Sequence, residues 1–98
     1  MKRYRLTDEA ETDLDDIWSF VADDNSLAAN RMIDELIAAF ASLAEMPGMG
    51  RLRDDLGIRP VQLWTVRQYI IVYRSETMPL EIVRVVSGYR DIASLFSE

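Results

Sequence analysis

Two apolar runs near the end of the chain constrain its fold more than any other feature. Residues 69–74 are YIIVYR and residues 80–86 are LEIVRVV. β-branched and aromatic residues of this kind favour the pleated, half-buried surface of a sheet. The polar connector at residues 75–79 ends in Pro79 and has the length of a hairpin turn. The sequence therefore predicts an antiparallel hairpin whose two faces are both largely covered.

Two helical patterns precede this hairpin. Apolar residues recur at helical spacing over residues 10–22, after Thr7, a good N-cap residue, and an acidic first turn. A second apolar stripe covers residues 29–44, with Ser26 as its candidate N-cap and Met-Pro-Gly at 46–48 as its end. Because the link between the two patterns is short, we expect an antiparallel helical hairpin.

The remaining segments complete an α+β fold in a single domain over residues 1–98. Residues 2–6 predict a short edge strand, 47–57 a glycine-rich loop, and 59–66 a further strand. We expect the helical hairpin to pack on a mainly antiparallel sheet, with a short C-terminal helix or tail after residue 88. The residues expected to be largely buried are Leu14, Ile17, Val21, Ile33, Leu36, Phe40, Ile71 and Val83.

The 98-residue chain contains neither His nor Cys. Their absence excludes disulfides, thiolate chemistry and the usual zinc sites, and it removes the commonest general acid and base. We expect no cofactor and no metal, and we interpret Asp13, Asp15 and Asp16 as a solvated helix face. No apolar run is long enough to cross a bilayer, so we expect a cytoplasmic protein without a membrane partner.

Charge is distributed unevenly along the chain. Residues 1–46 carry 4 basic and 11 acidic side chains, a net −7, and residues 47–98 carry 7 basic and 6 acidic, a net +1, which together give −6. An acidic chain is a poor general binder of nucleic acid, because phosphate contacts dominate that affinity. All the basic residues of the second half are arginines, which suit planar, bidentate contacts with a protein partner.

Several segments, in this order and spacing, resemble the ParE branch of the RelE/ParE toxins of bacterial toxin–antitoxin systems. The resemblance covers nearly the whole chain and implies the α+β fold described above. It rests on residues 4–6 (YRL), 13–18 (DLDDIW), 46–51 (MPGMGR), 69–74 (YIIVYR), 82–86 (IVRVV) and 88–91 (GYRD).

The family divides by target, and this chain departs from its nuclease branch. RelE-like members cut mRNA on the ribosome with basic residues on the sheet, whereas ParE-like members are described as acting on DNA gyrase. Arg90 stands where the nuclease branch keeps an arginine, but Ile70 replaces a second catalytic arginine. Phe96 stands near the place of a C-terminal tyrosine, and Ser87 replaces a histidine that many members carry.

The resemblance implies a toxin that inhibits DNA gyrase by binding and is neutralised by a ParD-like protein antitoxin. We expect no bond-breaking chemistry, no catalytic residue and no sequence-specific contact with nucleic acid. Two alternatives stay open: a ribosome-dependent mRNA endoribonuclease of the RelE type, and a non-toxic interaction module. Growth arrest by the chain expressed alone separates the toxins from the module, and mRNA cleavage separates the two toxins.

The candidates for contact with a target or an antitoxin are arginine and aromatic residues. The candidates for contact with the target are Arg51, Arg53, Arg59, Arg84, Arg90 and Phe96. The candidates for antitoxin binding are the aromatic residues Trp18, Trp64, Tyr69 and Tyr73. For Arg84 and Arg90 the alternative is an internal ion pair with Glu81 or Asp91. For Arg51 and Arg53 the alternative is that one of them anchors the loop of residues 47–57 onto a helix end or an acidic side chain.

Overall fold

The chain folds into two helices packed on a five-stranded sheet, as a computed structural model describes for residues 3–57, 59–88, 92 and 95. The α+β class predicted from the sequence is confirmed. The elements, in order, are β1 (Tyr4–Leu6), α1 (Asp8–Ala22), α2 (Ser26–Glu45), a 3-10 turn (Pro47–Met49), β2 (Arg51–Arg53), β3 (Val61–Val66), β4 (Tyr69–Arg74) and β5 (Leu80–Val86).

The strands are ordered β1-β5-β4-β3-β2 across the sheet. β4 and β5 form the predicted antiparallel hairpin, and β3 and β2 continue the antiparallel pairing. β1 lies at an edge, as predicted, and runs parallel to β5. β2 forms the other edge, within a stretch that the sequence pattern assigned to a loop. Its three residues alternate Arg-Leu-Arg after Gly50, which is too short a pattern to separate a strand from a loop.

The helix boundaries follow their capping chemistry. The Oγ1 atom of Thr7 accepts a hydrogen bond of 3.1 Å from the backbone N–H of Ala10, which confirms Thr7 as the N-cap of α1. The predicted N-cap of α2 is wrong by one residue. Asn25 holds that position, and its side chain accepts from the N–H of Ala28 at 3.0 Å, whereas Ser26 is the first helical residue. Asn25 and Ser26 are both good caps, so sequence alone does not separate them.

The main core lies between the helices and one face of the sheet. Phe40 and Leu36 of α2 and Ile71 of β4 are completely buried there, and the ring of Tyr4 on β1 lies 5.6 Å from that of Phe40. Ile17 is also buried, so four of the eight predicted core residues are confirmed. The other four are only partly buried: Leu14, Val21, Ile33 and Val83. Burying aromatic and aliphatic side chains of this size stabilises a fold by roughly 1.5–3 kcal/mol each.

The second face of the sheet is also apolar, as the hairpin sequence predicted. Val61, Ile70 and Val72 are buried on it, beneath Ile92, which is 2% exposed. Leu95 packs against the same cluster. The rest of the predicted C-terminal helix or tail lies outside the described residues. Neither helix in the described part of the chain is long and apolar enough to cross a membrane.

Candidate functional site

Tyr73 fixes the glycine-rich stretch to the centre of the sheet. Its hydroxyl donates a 2.7 Å hydrogen bond to the carbonyl of Pro47 and accepts one of 2.8 Å from the N–H of Gly50. Burial raises the pKa of Tyr73, and the hydrogen bond from Gly50 opposes that shift. A Cβ atom on Gly50 would lie 2.6 Å from the tyrosine oxygen and 2.8 Å from the carbonyl oxygen of Leu63. The MPGMGR segment and Tyr73 are therefore one packing unit.

Asp13 and Arg84 form the link between α1 and β5. Asp13 Oδ2 accepts from Arg84 Nε at 2.7 Å and Oδ1 accepts from Arg84 Nη2 at 2.9 Å. Oδ2 also accepts from the backbone N–H of Val85 at 2.9 Å. The hydrogen bond to Asp13 is the main cause that raises the pKa of Arg84. The guanidinium of Arg84 is thus paired internally, which agrees with the alternative to a target contact, but its partner is Asp13, while Glu81 binds Arg5 and Arg74. Asp91 lies outside the described residues.

The assignment of Asp13 to a solvated helix face is wrong. Asp13 is only 8% exposed, whereas Asp15 and Asp16 are exposed as expected. The i, i+3 and i+4 spacing with Ala10 and Ile17 could have placed Asp13 on the buried side of α1. Within the described residues, no group of three or more acidic side chains is placed to hold a metal ion.

The exposed arginines differ in whether an acid neutralises them. Arg53 donates to Asp55 at 2.9 and 3.0 Å, and that contact raises the pKa of Arg53 and lowers the pKa of Asp55. Arg59 donates to Glu76 at 2.9 and 2.7 Å. Arg51 is exposed on β2 and forms no ion pair with any residue that the structure describes. Of these three target-contact candidates, Arg51 is therefore the one whose guanidinium has no acidic partner among the described residues.

A second ion-pair cluster crosses three strands on the sheet. Glu81 of β5 is paired in register with Arg5 of β1 and Arg74 of β4, and its carboxylate binds both guanidinium groups. The contact to Arg74 Nη1 is 3.2 Å long, and the buried Nε of Arg74 has no partner among the described residues. The sequence analysis missed this cluster, because it depends on the parallel register of β1 against β5.

The four aromatic candidates for antitoxin binding differ widely in accessibility. Trp18 is 40% exposed, and its Nε1 donates to Asn30 Oδ1 at 2.9 Å, joining α1 to α2. Trp64 is half-buried on the helical face of β3. Tyr69 and Tyr73 are buried, so their side chains serve packing in this structure. Arg90 and Phe96 lie outside the described residues.

Two grooves adjoin the helices. The first, which we call the α1–β5 groove, has a volume of about 460 Å³, and Ile17, Phe20 and Tyr69 contribute to its lining. The second, the β1 groove, has about 470 Å³ and lies between β1 and the two helices, with Leu14 and Ile37 in its walls. Phe20 is 74% exposed and was not among the predicted contact residues.

Comparison with known protein families agrees with this fold. Residues 4–92 match the family model described as "ParE toxin of type II toxin-antitoxin system, parDE". A search of the curated proteins finds no match. The family match extends from β1 through all five strands to Ile92, the buried residue on the second sheet face. The chain therefore belongs to the ParE family of toxins of type II toxin–antitoxin systems.

Proposed function

We propose that this toxin acts by binding DNA gyrase and that a ParD-like antitoxin neutralises it. The observation that carries the proposal is the match of residues 4–92 to the ParE toxin family. The proposed site of action is the cytoplasm, where gyrase and its DNA substrate are located.

The chemistry of the second sheet face supports binding over RNA cleavage. A nuclease that uses the ribose 2′ hydroxyl needs groups that remove and supply protons, and such groups typically contribute about 10²–10⁴-fold. Ile70, at the place of a catalytic arginine in the nuclease branch, is 2% exposed within an apolar cluster. Arg74 on the same face is bound to Glu81. Arginine remains protonated, so it is a poor general base wherever it lies.

The charge pattern also supports a protein target. Of the arginines proposed for target contact, Arg53, Arg59 and Arg84 are each bound to a carboxylate. A net charge of −6 repels the phosphate backbone, whereas protein surfaces offer carboxylates for a free guanidinium. We propose Arg51 as the main charged contact with the target, because it is exposed and unpaired among the described residues.

The β1 groove supports neutralisation by a partner that adds both a strand and a helix. Among the described strands β1 pairs with β5 alone, so it lies at an edge of the sheet where a partner strand can be added. Beside that edge, Ile37 is 41% exposed and Leu14 is partly buried in the groove wall. An amphipathic helix that covers these side chains would bury apolar surface worth about 25 cal/mol per Å².

Purified components test the proposal directly. The chain is titrated into gyrase with relaxed plasmid DNA, and separately into translating ribosomes with mRNA. We expect loss of supercoiling or trapped cleavage complexes, with intact mRNA. Codon-register cuts in mRNA together with normal supercoiling would instead establish the nuclease alternative.

A matched pair of variants tests the role of Arg51. We expect Arg51→Ala to weaken gyrase inhibition several-fold, because it removes an unpaired charge at the edge of the sheet. Arg31→Ala is the control, since Arg31 is also exposed and lies on α2 without an ion pair to any described residue. Equal inhibition by the two variants would remove Arg51 from the contact surface.

A further inference from the structure

The α1–β5 groove has an apolar wall beside a polar lining that includes Asp13, Asp16, Arg84 and Ser87. Ile17 and Tyr69 form part of its lining and belong to the main core, and Leu95 also lines it. Phe20 extends the same apolar lining into solvent with 74% of its surface exposed. Singly exposed apolar residues are ordinary, but an exposed aromatic residue continuous with an apolar groove is typical of a contact surface.

The rim of this groove is acidic. A neighbouring concavity of about 400 Å³ follows α1 and is lined by Asp8, Glu9 and Asp16, and by the Asp13–Arg84 pair. Because Asp13 and Arg84 neutralise each other, the three remaining carboxylates give the described lining of this concavity a formal charge of −3. Asp8 and Glu9 lie in the first turn, where the helix dipole stabilises them.

The helix dipole that stabilises Asp8 and Glu9 does not account for the exposed carboxylate of Asp16. It lies in the middle of α1, lines both concavities, and is exposed without an ion pair to any residue in the described ranges. A partner side chain that enters the groove beside Phe20 therefore passes this carboxylate. A Lys or Arg next to a large apolar residue has the matching chemistry.

The edge of β5 limits how a partner can bind here. β1 pairs with β5 only as far as Ile82. Beyond that point the hydroxyl of Thr7 donates to the carbonyl of Val83 at 2.7 Å, and the carboxylate of Asp13 accepts from the N–H of Val85. Since Thr7 and Asp13 occupy these two backbone groups, neither is available to an added strand. At these positions the groove offers a partner side chains rather than free backbone groups.

We propose that the α1–β5 groove docks a basic segment of the antitoxin, with a large apolar side chain seated against Phe20 and Ile17. This inference rests on the proposed neutralisation by an antitoxin, and it adds a second contact surface on the opposite side of α1 from the β1 groove. The charge of the occupant follows from the acidic rim, and its apolar side chain follows from the exposed ring of Phe20 beside Ile17.

The test is a titration of a ParD-like antitoxin that binds the wild-type chain against two groove variants. Asp16→Lys replaces a rim carboxylate with a cation, and Phe20→Ser removes the exposed part of the apolar wall. We expect each to weaken binding about tenfold or more. The controls are Asp54→Lys and Leu52→Ser, which make the same changes at exposed positions near β2, and we expect them to bind like the wild type. Equal denaturation midpoints establish that the variants fold.

A selection of short random peptides tests the chemistry independently of the antitoxin. Displayed peptides are enriched on the wild-type chain and then measured against the Asp16→Lys and Phe20→Ser variants. We expect enriched peptides to combine Lys or Arg with a large apolar residue and to lose binding to both variants. Acidic peptides, peptides that bind the variants equally well, or no enrichment at all would overturn the proposal. Gyrase takes part in neither experiment, so their failure would leave the gyrase proposal standing.

Discussion

The carboxylate of Asp13 holds the guanidinium of Arg84 at 2.7 and 2.9 Å, and thereby joins α1 to β5 across 71 positions of the chain. The same carboxylate accepts from the N–H of Val85, where β5 extends past the end of its pairing with β1. One side chain therefore accepts a hydrogen bond from a backbone N–H at the edge of β5 and also pairs with an arginine. This arrangement pairs Arg84 internally, whereas Arg51 is exposed and forms no ion pair with any described residue.

Replacing Asp13 tests this link. We expect Asp13→Ala to lower the free energy of unfolding by about 1–3 kcal/mol, because it leaves the N–H of Val85 and the guanidinium of Arg84 without their acceptor. Asp15→Ala, at an exposed position two residues away, should change it by less than about 0.5 kcal/mol. Urea unfolding of both variants measures the two free energies of unfolding. Equal losses of stability in the two variants would show that the Asp13–Arg84 link contributes nothing specific.

Two glycines of the MPGMGR segment should respond differently to the same substitution. Gly50→Ala places a methyl group 2.6 Å from the Tyr73 oxygen and 2.8 Å from the Leu63 carbonyl oxygen, so we expect a loss of about 1–3 kcal/mol. Gly48→Ala meets no atom within 4 Å and should leave stability unchanged or raise it by up to about 1 kcal/mol. Similar denaturation midpoints for the two variants would contradict this account of the segment.

Tyr73 should make the protein sensitive to alkali. Its pKa is raised above the ordinary value of 10.0 by burial, so the folded state keeps a proton that the unfolded state loses. Its contribution is therefore complete below pH 10.0 and is lost as the pH rises through the higher folded value. We expect stability to fall in that alkaline range in the wild type.

The Tyr73→Phe variant separates this effect from general alkaline unfolding. It should be about 1–3 kcal/mol less stable at neutral pH, since Gly50 and Pro47 lose their hydrogen-bond partner. Its further loss of stability above pH 10.0 should be smaller than that of the wild type. Thermal melts over the alkaline range measure both, and parallel curves would refute the role assigned to the tyrosine hydroxyl.

Local patterns predicted most of the fold because each element has a clear period or boundary residue. The β4–β5 hairpin, the two helices and the edge position of β1 all follow from patterns within a few residues. The register of β1 against β5 does not, since it joins Arg5 to Glu81 across the whole length of the chain. The Asp13–Arg84 pair was likewise out of reach of local reasoning, which assigned Asp13 to solvent. Burial of Tyr69 and Tyr73 similarly depends on which face of the hairpin the helices cover.

Phe40 tests the main core. Its side chain is completely buried against the sheet and beside Tyr4, so we expect Phe40→Ala to cost about 3–5 kcal/mol. Phe20→Ala, in which the lost ring is 74% exposed, should stay within about 0.5 kcal/mol of the wild type. A Phe40→Ala variant that unfolds at the wild-type denaturant midpoint would place Phe40 outside the core.

The topology of a plasmid taken from cells that express the chain alone tests the central claim most directly. We predict that growth stops and that the plasmid becomes relaxed or carries gyrase-linked breaks, while mRNA stays intact. Co-expression of the antitoxin should restore both growth and supercoiling. Growth arrest with a normally supercoiled plasmid and mRNA cut in codon register would contradict the claim.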